Sequence, residues 1–151
     1  MNTKIIIHTC PKFWNDCLVL RKSLKRKEFK SYYGNGDLRS DAISTDEKIE
    51  SIPIIKLIAT TIINALQYED KSLFNQITDP CDRQPFLANG WEIRKMRYAI
   101  NSTGKSDGLR IIFCINNEHV LLTYVATKNL CSREEKLESE YTERIKAYIS
   151  I

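Results

Sequence analysis

The sequence predicts a small α+β domain: an antiparallel sheet built from an N-terminal strand and a C-terminal three-stranded meander, with helices packed on one face. Three observations predict it. A β-branched run opens the chain, apolar residues then recur at helical spacing, and the last third alternates apolar runs with turn residues. A length of 151 residues with 42% hydrophobic residues suits one packed core, so we expect a single domain over residues 1–151.

Lys4–His8 is a short strand. Thr9 offers an N-cap and Pro11 a first helical position, where a missing N–H costs nothing. Phe13, Cys17, Leu20 and Leu24 then form an apolar stripe on a helix that runs into basic residues. Tyr32 to Asp37 breaks the pattern, and the polar stretch that follows reads as a loop insertion around residues 29–50. Ile52–Leu66 is rich in β-branched residues, yet Ile55, Ile58, Ile62 and Leu66 hold helical spacing, and its length decides for helix. Tyr68–Leu87, with its Asp-Pro and Gln-Pro steps, reads as turns and extended chain. Strands follow at Trp91–Ile100, Leu109–Ile115 and Val120–Ala126, the last two joined by a tight Asn116-Asn117 connection. Ser132 and Glu135 have capping-box spacing, and Leu137, Tyr141, Ile145 and Ile149 mark a final helix crossing the sheet.

Composition excludes several classes. Five glycines and four prolines are too few for a low-complexity or fibrous chain. The longest apolar region is interrupted by Pro53, Lys56 and Asn64, and the N-terminus lacks a signal-peptide pattern, so a cytoplasmic protein with no membrane partner is expected. Five cysteines without a CxxC read as reduced thiols, and two histidines supply no metal cluster, so neither metal nor cofactor is expected. Tyr141 and Trp91 read as core residues and His119 as a turn residue. Lys and Arg number 23 against 19 Asp and Glu, a mild excess that is unevenly spread. Bases concentrate at Arg21, Lys22, Lys25, Arg26, Lys27 and Lys30, and again at Arg94, Lys95, Arg97, Lys105, Arg110 and Lys128. Acids concentrate in 37–50 and 134–143, a segregation expected of a phosphate-binding face.

Three segments carry a resemblance: Trp91-Glu92-Ile93-Arg94-Lys95-Met96-Arg97, then Gly104-Lys105-Ser106-Asp107-Gly108-Leu109-Arg110-Ile111-Ile112-Phe113, then Leu122-Thr123-Tyr124-Val125-Ala126-Thr127-Lys128-Asn129. In that order and spacing the chain resembles the RelE/HigB branch of the RelE/ParE toxin superfamily, departing from its motifs at Asp107, Ala126 and Thr127. The resemblance implies a RelE-like fold and the toxin of a type II toxin–antitoxin system. Its activity would be ribosome-dependent, metal-independent endoribonuclease cleavage of mRNA (an mRNA interferase that inhibits translation). Its partners would be mRNA on the ribosome and a cognate antitoxin protein of helix-turn-helix type. Two alternatives stand beside it: a ParE-type toxin that binds DNA gyrase without nuclease activity, and a RelE-fold module that binds RNA or protein without catalysis.

Cleavage of RNA through its own 2′-hydroxyl needs a base, an acid and cations for the phosphoryl oxygens. Lys95 and Arg97 alternate onto one strand face while Arg94 and Met96 point the other way. Arg110 and Lys128 on the next strands are expected to join them on the face that the last helix leaves open. The resemblance makes Lys95 the general base, gives Arg97 and Arg110 the phosphate, and sets Lys128 at the basic edge. Further candidates for RNA-backbone contact are Arg94, Lys105 and Arg133, with Lys25 and Lys27 on the basic helix.

Overall fold

A computed structural model describes residues 4–23, 42–44, 53–67, 72–98, 108–128 and 131–149. The elements run β1 (Ile5–Thr9), α1 (Pro11–Ser23), β2 (Ala42–Ser44), α2 (Pro53–Gln67), α3 (Ser72–Ile77), β3 (Thr78–Pro80), a 3-10 turn (Leu87–Asn89), β4 (Glu92–Tyr98), β5 (Leu109–Asn116), β6 (His119–Thr127) and α4 (Glu134–Tyr148). The sheet order is β2-β1-β6-β5-β4-β3. Five strands form its body and β2 extends the β1 edge. The expected meander is β4-β5-β6, antiparallel throughout, but β1 pairs with β6 in parallel, so the sheet is mixed. Asn117 turns the β5–β6 hairpin with a φ of 53°, a conformation asparagine tolerates.

Three elements go beyond the sequence expectation. Residues 42–44, within the stretch read as a loop insertion, form β2 against β1. The stretch read as turns and extended chain contains both α3 and β3. The remainder of 29–50 lies outside the described residues.

The helices do not share one face, which corrects the expected layering. Cross-strand partners point the same way, so Arg94 and Phe113 share one face while His8, Ile93, Cys114, Ile112 and Lys95 share the other. Phe74 of α3 packs edge-on against Phe113 on the first face, ring centroids 6.3 Å apart. On the second face α4 brings Tyr148 to His8 and Arg144 over the Tyr124 ring. A sheet covered on both sides explains why β5 and β6 are buried along nearly their whole lengths rather than at alternate positions. Ile58, Ala59, Ile62 and Ile63 of α2 are completely buried in the same apolar cluster, along with Phe13, Cys17 and Leu20 of α1. Tyr141 is buried there and Trp91 packs against it, as expected of core residues.

The ends of α1 and α4 differ from expectation in detail. Pro11 does open α1, but Thr9 is still in β1, so Cys10 precedes the helix and its carbonyl accepts from Phe13 N–H at 3.0 Å. The capping box does not form: Arg133 is the N-cap residue of α4 with no side-chain bond, and Ser132 Oγ donates instead to Glu140, 3.0 Å away.

One β-bulge organises the joins between layers. Between Ile112 and Phe113 the register of β5 against β6 slips past Thr123. The Thr123 carbonyl accepts from Arg144 Nη1 at 2.9 Å and from the Cys10 thiol at 3.2 Å. Asp16 of α1 accepts the Val125 N–H at 3.2 Å on the stretch of β6 that β1 leaves unpaired, and it takes two bonds from Arg144. Burial pushes the Asp16 carboxyl up, with the Arg144 guanidinium pulling against that shift. The ion pair thus ties α1 and α4 to the same two residues of β6.

At the other end of β6, the chain's two histidines meet. His8 Nε2 and His119 Nδ1 are 3.0 Å apart, and Tyr148 Oη is 3.3 Å from His8 Nδ1. His119 therefore serves in a contact between β1, β6 and α4. Burial and the neighbouring His119 both hold the His8 pKa below its usual value.

Two predictions follow from these joins. Asp16→Ala strands a largely buried guanidinium and should lower unfolding free energy by about 3 kcal/mol in urea titration, whereas Asp16→Ala combined with Arg144→Met should cost less than Asp16→Ala alone. Because the lowered His8 pKa means that the unfolded chain binds the proton more readily, its contribution is present above pH 6.5 and is lost as pH falls below that towards the lowered value. Urea midpoints measured at pH 7.5 and 5.5 should differ more for the native chain than for His8→Gln.

Candidate nucleic-acid cleft

β4 is where an apolar sheet acquires cations. Ile93 and Met96 are buried, but Lys95 and Arg97 lie on the same face as Ile93 near the strand's open end. Register places Arg97 directly opposite Arg110 of β5, and Lys95 between Ile112 of β5 and Asp79 of β3. Like charges opposite one another in an antiparallel pair repel. An anion between them reverses the sign of that interaction.

Lys95, Arg97 and Arg110 line one cleft of about 250 Å³, together with Asp79, Cys131, Ser132 and Leu137. Arg97 is exposed, while Lys95 and Arg110 are half-buried. Arg110 Nη1 lies 3.4 Å from the Gly108 carbonyl, which it meets as donor. The three cations therefore converge as expected, but on the face that α4 covers, not on the face it leaves open. Leu137 of α4 supplies one wall. The correction has a simple cause: α4 crosses only part of its face, and the cleft occupies the remainder beside it. Among the described residues, no group of three or more His, Cys, Asp or Glu side chains is placed to hold a metal ion.

The other predicted residues are distributed differently. Lys128 is exposed immediately after β6 and is not part of the cleft lining. Arg133 is exposed at the start of α4. Arg94 lies on the opposite face, stacked 5.0 Å above the Phe74 ring with its side chain 13% exposed, so it packs α3 against the sheet. Lys25, Lys27 and Lys105 lie outside the described residues.

Sequence reasoning missed Asp79, because an Asp-Pro step reads as a turn. Its signal is visible only once residues 78–80 are recognised as a strand antiparallel to β4. It also missed the mooring beside the cleft. Tyr141 and Glu138 of α4 both engage Arg83, in the segment after β3, the latter as an ion pair. Burial, with the nearby Cys81, pushes the Tyr141 hydroxyl up to about 12. All five cysteines are free thiols. Burial raises Cys131 at the cleft, against the pull of Arg110 and Lys95.

No protein-family model matches the chain, and no curated protein or solved structure matches it either. The fold and cleft define an α+β protein with a cationic cleft at one corner of a mixed sheet. No helix among the described residues is long and apolar enough to cross a membrane.

Arg94→Ala should lower stability by roughly 1 kcal/mol through loss of its stacking on Phe74, a loss that thermal unfolding reads directly.

Proposed function

We propose that this protein is the toxin of a type II toxin–antitoxin pair, a ribosome-dependent mRNA endoribonuclease of the RelE type, held inactive by a cognate antitoxin. The observation that carries the reading is the Arg97–Arg110 cross-strand pair at the mouth of a cleft that also contains Lys95. Two arginines facing each other across a sheet suit an anionic ligand, and a phosphodiester fits both. The same residues carry the motif resemblance, and the order β1, α1, α2, then β4-β5-β6, α4 accords with a RelE-like arrangement.

In this reading the scissile phosphate sits between Arg97 and Arg110. As the 2′-oxygen attacks, negative charge builds on the non-bridging oxygens, and guanidiniums already in place stabilise it without reorganising. Leu137 and Ile112 give the cleft an apolar lining beside the cations. Lys128 and Arg133 lie on the surface, where RNA backbone passes.

Expression of the chain alone in bacterial cells should arrest growth and leave translated mRNAs cut within coding regions. Intact mRNA with altered DNA supercoiling would instead select the gyrase-directed alternative. In ribosome-dependent cleavage by purified protein, Arg110→Ala should lower the rate by on the order of 10²–10³, the cost of deleting one preorganised donor to a growing negative charge.

A further inference from the structure

We propose that Asp79 is the general base of the cleft and that Lys95, directly across the β3–β4 ladder from it, is the general acid. This inference rests on the nuclease reading above and reverses the role that the motif resemblance gives Lys95.

Of the described groups that line the cleft, one can take up a proton. Arg97 and Arg110 keep their protons at any physiological pH and cannot accept another. Met96, Ile111, Ile112 and Leu137 carry no titratable group. The Cys131 thiol is held protonated by burial, and Ser132 donates its hydroxyl to Glu140. Asp79 is exposed on the edge strand, belongs to the cleft lining, and is the one carboxylate among those residues. The register sets Lys95 directly across the ladder from that carboxylate, so an amine that can donate a proton stands beside the group that accepts one. Among the described residues, the charged and titratable groups that line the cleft with Asp79 are Lys95 and Arg97 from β4, Arg110 from β5 and Cys131 from the segment before α4, while α4 contributes Leu137.

The chemistry balances. A carboxylate oxygen of Asp79 takes the 2′-hydroxyl proton as the 2′-oxygen forms its bond to phosphorus. The bond from phosphorus to the 5′-oxygen breaks, and that oxygen takes a proton from Lys95 Nζ. The products are a 2′,3′-cyclic phosphate and a 5′-hydroxyl. Asp79 then loses its proton to solvent and Lys95 regains one, with no other reactant consumed. The base comes from β3 and the acid from β4, so the register Asp79↔Lys95 sets their separation.

The test is the pH–rate profile of single-turnover cleavage on ribosomes programmed with a defined mRNA. For the native chain the profile should be bell-shaped, with an acid limb from Asp79 and an alkaline limb from Lys95. Asp79→Asn should lower the rate by on the order of 10²–10⁴ and abolish the acid limb, while binding to the same ribosomes is kept. Asp79→Glu should restore part of the rate together with the limb. An Asp79→Asn protein that cleaves at the native rate, or is slowed with the acid limb intact, overturns the base assignment while leaving the nuclease reading in place. A native chain that cuts no RNA under these conditions sinks both. The Asp79 side chain is exposed on an edge strand, so circular dichroism and thermal unfolding should show the native fold in each variant.

Discussion

The architecture depends on how the bulge at Thr123 is satisfied. A bulge leaves a carbonyl without its ladder partner, an N–H beyond the reach of a neighbouring strand lacks one too, and in a sheet covered on both faces water does not reach them. Here the Thr123 carbonyl is met by Arg144 of α4 and Cys10 at the head of α1, and the Val125 N–H by Asp16 of α1. The ion pair is therefore more than a bond between two helices. It holds both helices against β6, and Leu137 of α4 lines the cleft.

That dependence runs through the cleft's architecture. Leu137 lies two turns before Arg144 on α4, and between them Tyr141 and Glu138 reach the segment that follows β3. The cleft thus has a floor of β4 and β5, a wall from α4 and a rim from β3, with the rim and the wall tied to each other through Arg83. Pro80 ends β3 and cannot donate to a further strand, so the rim remains an edge. The cations sit where the sheet is no longer covered, beside Ile112 on the same face.

Local periodicity made much of this legible. The four longest strands and the helices α1, α2 and α4 are visible in spacing alone, since each buries a continuous stripe, and the alternation of Lys95 and Arg97 against Arg94 and Met96 is a property of any strand. What escaped was non-local. β2 and β3 are three residues each and exist because a neighbour offers an edge to pair with. The face occupied by α4 depends on the bulge, which no motif announces. Asp79 and the His8–His119 contact join residues far apart in the chain, and Ser132 forsakes its cap because Glu140, two turns on, offers a better acceptor. Arg94 shows the converse: a cation in a recognised motif that packs on a phenylalanine because strand alternation turns it away from its neighbours.

The pairing of β1 with β6 has a consequence for how the chain is made. His8 and His119 are separated by 111 positions, yet their strands are hydrogen-bonded neighbours. A ribosome releases β1 long before its partner β6. Throughout that interval Ile5 and Ile7, both destined for the core, can meet the short β2 but not β6. Nascent chains stalled before His119 thus present a sticky β-branched segment to chaperones or to one another, and soluble yield depends on how soon β6 emerges.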